Sequence, residues 1–263
     1  MHYLTDEFVT TGNVPEPFKA IQVLQTALNY YIETQEKAVP LYKRLFEELD
    51  KRRLEGDNEI EVYLGRDAIG AFEGRRALKL ARERKLGLTE RKAIKMQGES
   101  VGIAPKYLVF PGLFRDRLDS YSIQAYLEQE GITPDEKLKI VFIDTSYTGS
   151  IPKRIMDVLG IGYYAEGGYS SRILLLSAHD KSQGVNFHGM GMDEKEIDSI
   201  VARIEHNPKT EESAIGLAYD KNGKIKLVAP PTSSEDQLYA RLIQLAVRRH
   251  FWIQGYTGVY LVV

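Results

Sequence analysis

Four short apolar runs recur along the chain, near residues 60, 108, 141 and 174, and each gap between them holds a stretch long enough for a crossover. This spacing constrains the fold more than any other feature. Hairpins need only a few residues between strands, whereas parallel strands need a dozen or more, usually with a helix in the connection. The runs are Glu59–Leu64, Lys106–Phe110, Ile140–Ile143 and Arg172–Ser177. Helical periodicity is expected from about Ile69 to Arg84, from Ser122 to Gln129, and from Ile151 to Leu159 with Gly160 as its stop. The reading is an α/β protein with a mainly parallel sheet flanked by helices, Rossmann-like in outline.

The N-terminal part carries Ile21, Leu24, Leu28 and Ile32, then Leu41, Leu45 and Leu49. The spacing predicts two amphipathic helices, with Pro40 as the break between them. Residues 1–57 read as a helical extension, serving as a cap over a site or as a homodimer surface. Residues 58–263 read as the α/β core, and a single domain over 1–263 remains the alternative. Beyond the fourth run, a helix is expected over 193–206. A hairpin follows, turning at Asn222-Gly223, and then a helix from Glu235 capped by Ser233 or Ser234. The tail Val259–Val263 has strand composition.

Composition excludes several classes. The 263 residues contain no cysteine, which rules out disulfides, thiolate metal sites and a cysteine nucleophile. A net charge of -2 gives no footprint for nucleic acid or an anionic membrane. No apolar run approaches the ~20 residues of a membrane span, and Met1–Glu7 lacks the basic and apolar regions of a signal peptide. A cytoplasmic location is therefore expected, although export without a leader would look the same.

The chemistry concentrates in Ile140-Val-Phe-Ile-Asp-Thr-Ser-Tyr-Thr-Gly-Ser-Ile-Pro152. An apolar strand ends at Asp144, and Thr145, Ser146, Tyr147, Thr148, Gly149 and Ser150 form a small hydroxyl-rich loop. A helix then opens with Pro152 in its first turn. Free amides and the helix dipole at such a junction attract anions, phosphate above all. The bland alternative is an ordinary strand–loop–helix turn in which the aspartate and serines cap the helix.

This stretch resembles the PRPP-binding motif of type I phosphoribosyltransferases, in which an apolar strand, two adjacent acids and a Thr/Gly-rich loop bind the ribose hydroxyls and the 5′-phosphate. The resemblance covers about a dozen residues, and it departs from the pattern at Thr145, which stands where the second acid belongs. It implies PRPP or a related sugar phosphate as ligand, Mg²⁺ that arrives with the ligand, and phosphoribosyl transfer to a nucleophile. Asp144 would then be the catalytic carboxylate. Gly65, Arg66, Asp67 and Ala68 occupy the place of the family's pyrophosphate loop, where Arg66 would grip phosphate oxygens. A turn with surface pairing of Arg66 and Asp67 is the alternative. Arg115 is a further phosphate ligand on this reading.

Two other functions fit the same residues. Asp144 is also placed like the nucleophile of a haloacid-dehalogenase-like Mg²⁺-dependent phosphohydrolase, with Ser177 in its second motif. Ser146 stands where that motif's second aspartate belongs. A non-catalytic nucleotide- or phosphoribosyl-binding regulator is favoured by Thr145. His179 and His188 have no partner identifiable from sequence. Gly70 and Gly74 are expected to permit close approach of backbone or ligand, and residues 85–106 read as a mobile loop or a short helix.

Overall fold

The structure is a computed structural model. It describes residues 17–54, 59–65, 68–85, 105–110, 119–133, 139–144, 150–160, 172–175, 216–228 and 231–257. The elements are α1 (Pro17–Glu33), a π turn (Thr34–Ala38), α2 (Val39–Leu54), β1 (Glu59–Leu64), α3 (Ile69–Lys85), β2 (Lys106–Leu108), α4 (Ser120–Gln129), β3 (Lys139–Asp144), α5 (Ser150–Leu159), β4 (Arg172–Leu175), β5 (Gly216–Tyr219), β6 (Ile225–Val228) and α6 (Ser234–Thr257). The expected helix over 193–206, His179, His188 and the tail lie outside the described residues, as do 86–104 of the expected mobile loop.

The four apolar runs form one parallel sheet in the order β2-β1-β3-β4. The chain steps from β1 to β2 on one side, then returns past β1 to add β3 and β4 on the other. Side chains sort by strand alternation. Tyr63, Val141 and Ile143 enter a core with α2, α3 and α6. Ile60, Val62, Leu64, Ile140 and Phe142 enter a second core with α4, α5 and Ile225 of the hairpin. Crossover helix α3 lies on one face where the sheet grows one way. Helices α4 and α5 lie on the other face where it grows the opposite way, so all crossovers share one hand. The protein is thus a helix-rich member of the α/β class.

Local signals explain the element ends. Asp119 caps α4, its Oδ1 accepting from the Ser122 amide at 2.8 Å. Lys106 Nζ closes the other end of α4 by donating to the carbonyls of Glu130 and Gly131 at 3.1 and 2.7 Å. Ser233 Oγ accepts from the Asp236 amide at 3.0 Å and starts α6. The hairpin turns where expected, with Gly223 at φ 75° and Asp220 Oδ1 accepting from the amides of Asn222 and Lys224. The Gln129 side chain extends the hairpin's pairing. Its Oε1 accepts from the Ile225 amide at 2.8 Å and its Nε2 donates to the Ile225 carbonyl at 3.0 Å, fastening β6 to α4.

The N-terminal helices differ from the sequence reading in two ways. Pro40 lies inside the second position of α2, and the irregularity comes before it. Proline has no amide for the Glu36 carbonyl and its ring crowds that carbonyl. The chain absorbs this in the π turn, where the Val39 amide reaches back to the Thr34 carbonyl. Thr34 Oγ1 also donates to the Tyr30 carbonyl at 2.6 Å, a back-bond that favours bending. The wider turn shifts helical phase by roughly a quarter turn. As a result Leu41, Leu45 and Leu49 are buried, while Ile21, Leu24, Leu28 and Ile32 face outward at 52, 49, 57 and 42% exposure. The inner side of α1 is made of Val23, Ala27 and, in the π turn, Thr34 and Ala38. Tyr30 stacks on Tyr239 with centroids 5.1 Å apart, and Gln35 Nε2 donates to the Ala246 carbonyl at 2.6 Å.

Gly70 and Gly74 serve packing within the protein. A Cβ on Gly70 would stand 2.9 Å from Tyr42 Oη, and one on Gly74 would stand 2.7 Å from Val247 Cγ1. On the facing helix, a Cβ on Gly255 would stand 2.7 Å from the Leu78 carbonyl oxygen. Helices α3 and α6 therefore approach closely along a seam of small residues that includes Ala77, Ala81 and Ala246.

Candidate functional site

Parallel strands all point their carboxyl ends toward one rim, and the register makes that rim level. Leu64 pairs with Leu108, Tyr63 with Ile143 and Asp144 with Leu175. Asp144 is the last residue of β3 and is 5% exposed. Gly65 follows β1 at φ 69°, its amide donating to the Leu108 carbonyl at 2.9 Å. The ends of β1 and β3 are neighbours, and between them the strand order reverses. Connections leave this point in opposite directions, which opens a crevice at the carboxyl ends of such sheets.

Of the residues singled out by sequence, Asp144 is placed at this rim. Ser150 is the first residue of α5, so the segment 145–149 joins the end of β3 to the start of that helix. The expected ligand residues Thr145, Ser146, Tyr147, Thr148 and Gly149 lie outside the described residues, as do Arg66, Asp67 and Arg115. Their flanks are described. Gly65 follows the end of β1, and Ala68 comes just before α3. Helix α5 packs into the second core through Ile155, Met156 and Leu159, which fixes where its N-terminus stands.

A second set of buried polar groups lies midway along β1. Glu61, 2% exposed, accepts from Arg75 Nε at 3.0 Å and Arg75 Nη2 at 2.8 Å. It also accepts from Tyr63 Oη at 3.2 Å and lies 3.3 Å from Lys79 Nζ. Arg75 Nη1 is 2.7 Å from Asp50 Oδ1, and Arg82 Nη1 is 2.7 Å from Asp50 Oδ2. The cluster ties α2, β1 and α3 together. Burial acts to push the Asp50 carboxyl up, but Arg75 and Arg82 outweigh it and hold it below its ordinary value. Burial acts to lower Arg75, and the Glu61 carboxylate more than reverses this. The Tyr63 hydroxyl is pushed well up by burial and then by Glu61, so it stays protonated as a donor. Sequence reasoning passed over Glu61 because its strand alternates in the manner of a half-exposed one. No local signal shows that α3 covers this face.

A groove of about 460 Å³ lies between α3 and α6, lined by Leu80, Leu245, Trp252, Arg76, Arg248 and Arg249. Arg248 Nε pairs with Glu73 at 2.7 Å, and Arg84 stacks on Trp252 with 5.1 Å to the ring centroid. Among the described residues no group of three His, Asp or Glu side chains could hold a metal ion. No described helix is long and apolar enough to cross a membrane.

Comparison of the chain with protein-family models, with curated proteins and with solved structures gave no match. What it can do is therefore argued from its own residues.

Proposed function

We propose that this chain is a phosphoribosyltransferase-like protein with a Rossmann-like sheet. It binds PRPP or a related sugar phosphate at the rim between β1 and β3 and transfers the phosphoribosyl group to a nucleophile. The observation that carries the reading is the place of Asp144, a nearly buried carboxylate on the last residue of β3, where the strand order reverses. Burying a carboxylate is costly, and a strand end beside such a crevice is where the cost has a use.

In this reading Asp144 orients the ribose hydroxyls. The amides and hydroxyls from Thr145 to Ser150 cradle the 5′-phosphate, and Arg66 and Arg115 bind the remaining phosphates. The hard oxygens of Asp144 suit the water shell of a Mg²⁺ that arrives on the pyrophosphate, and that ion would neutralise the leaving group's charge. Rate enhancement comes from positioning and charge stabilisation. Thr145 stands in place of a second acid, a difference that bears on turnover and leaves the binding groups in place.

Calorimetric titration of PRPP with and without Mg²⁺ tests the proposal. Binding is expected for the wild type, and loss of binding with an unchanged melting temperature for Asp144→Asn. Equal affinity in both proteins would overturn it. Release of inorganic phosphate from sugar phosphates with no pyrophosphate product would select the phosphohydrolase reading, and binding without turnover would select the regulator.

A further inference from the structure

Helix α1 turns its larger apolar side chains away from the protein. Its inner side is built from Val23 and Ala27, continuing into Thr34 and Ala38. Its outer side carries Ile21, Leu24, Leu28 and Ile32, each between 42 and 57% exposed. A surface helix ordinarily shows the reverse arrangement, and a contiguous stripe of this kind marks an interaction surface. The helix is held in this rotation by the Tyr30–Tyr239 stack and by the Gln35 bond to α6.

Three properties of the stripe indicate what covers it. No residue from Ala20 to Ile32 is charged, in a chain where 27% of residues are charged. The exposed neighbours of the stripe are Gln22, Gln25 and Asn29, whose amides both donate and accept. A helix that lies on a membrane surface carries Lys and Arg on its flanks, and a charged partner would need opposite charges here. Neutral amides around an apolar centre complement themselves. Finally, the stripe is a palindrome by residue type, Ile-Leu-Leu-Ile, with near-symmetric spacing about Thr26.

We propose that α1 forms the two-fold interface of a homodimer, in which two copies of the helix cross antiparallel. Ile21 packs against the partner's Ile32 and Leu24 against the partner's Leu28. A two-fold contact requires this reciprocity, since residue i meets j and j meets i. The stripe spans about 16 Å at 1.5 Å per residue. A contact of that length is smaller than a standard stable interface, so the association is weak and depends on concentration. The inference does not rest on the ligand assigned to the strand rim.

Sedimentation equilibrium on the full chain tests it. The wild type is expected to approach twice 29.9 kDa as concentration rises. Leu24→Glu/Leu28→Glu is expected to remain at 29.9 kDa with an unchanged circular dichroism spectrum and melting temperature. A wild type that stays monomeric at the highest concentration, or a double variant that still dimerises, would overturn the proposal. So would a monomeric wild type whose melting temperature drops in the double variant, which would mean that the chain's own residues cover the stripe. Because the chain has no cysteine, single introduced ones report geometry. Oxidation should cross-link Gln25→Cys, which sits near the axis, and should not cross-link Gln22→Cys, which the antiparallel pairing holds apart. Cross-linking of both, or of neither, counts against the antiparallel pair.

Discussion

Two buried carboxylates on adjacent strands have opposite settings. Glu61 sits in the middle of β1, 2% exposed, with Arg75, Lys79 and the Tyr63 hydroxyl around it. Asp144 sits on the last residue of β3, 5% exposed, where the chain leaves the sheet. Burial alone does not separate them. Their position along the strand does, because a mid-strand acid is enclosed by the crossover helix whereas a strand-end acid stands at the carboxyl-end rim of the sheet. Glu61 belongs to the architecture, and Asp144 stands at the rim where the proposed ligand would bind.

The comparison can be broken most directly at Glu61. Removing one partner of a buried ion pair strands the other charge, which costs about 3–5 kcal/mol. Glu61→Ala and Arg75→Met are each expected to destabilise by that amount in urea or guanidinium unfolding. The double variant Glu61→Leu/Arg75→Met should recover much of the loss, since an apolar pair of similar volume replaces the charges. Single variants that unfold like the wild type would remove the distinction drawn between the two acids.

Next in size is the seam that lets α3 and α6 close over this face. A Cβ at position 255 would meet backbone, the Leu78 carbonyl oxygen at 2.7 Å, together with Ala81 Cβ at 2.8 Å. Neither can rotate away, so Gly255→Ala is expected to cost about 1–3 kcal/mol by overpacking. At Gly70 the obstacle is the end of the Tyr42 side chain, so Gly70→Ala should cost less. The difference is measurable as a shift in denaturation midpoint with an unchanged slope.

A smaller effect, with a pH signature, comes from Asp50. Its folded-state carboxyl is held below the ordinary value of 3.8. A depressed acid contributes stability that is fully present above its unfolded value and is lost as pH falls through the folded one. Asp50 is partly exposed, so its pairing with Arg75 and Arg82 is worth about 1 kcal/mol. Wild type and Asp50→Asn should therefore differ by a constant amount near neutrality, and their stabilities should converge below about pH 4. A difference that grows on acidification would contradict the sign.

The parts of the fold legible in the sequence were those set by near neighbours. The β1 and β3 runs, the span of α3 and the Asn222-Gly223 turn follow from apolar period and turn chemistry. The α/β class follows from their spacing, because long gaps between apolar runs leave few other arrangements. What could not be read was decided at a distance. The pairing of Gln129 with Ile225 joins residues far apart in sequence. The enclosure of Glu61 depends on which face α3 covers. The rotation of α1 depends on a π turn, and of its causes only Pro40 was read from the sequence, as a break and not as a shift of helical phase; the Thr34 back-bond emerges only in the folded chain. At the strand rim Asp144 stood out because a charge that ends an apolar run is a local signal.

The smallest expected change in stability is also the one that most sharpens the comparison. Asp144→Asn keeps the shape of the side chain and removes a charge that is expensive to hold at 5% exposure. If the carboxylate is there for a ligand, the substitution should leave the unfolding free energy unchanged or raise it by up to about 1 kcal/mol, as replacement of functional groups often does. PRPP binding measured on the same preparation should disappear. Glu61→Gln provides the internal control, because it removes a charge from an equally buried acid and should lower stability while leaving the strand rim intact. If instead Asp144→Asn costs as much as the loss of Glu61, both carboxylates are architectural and the rim between β1 and β3 loses its claim to a ligand.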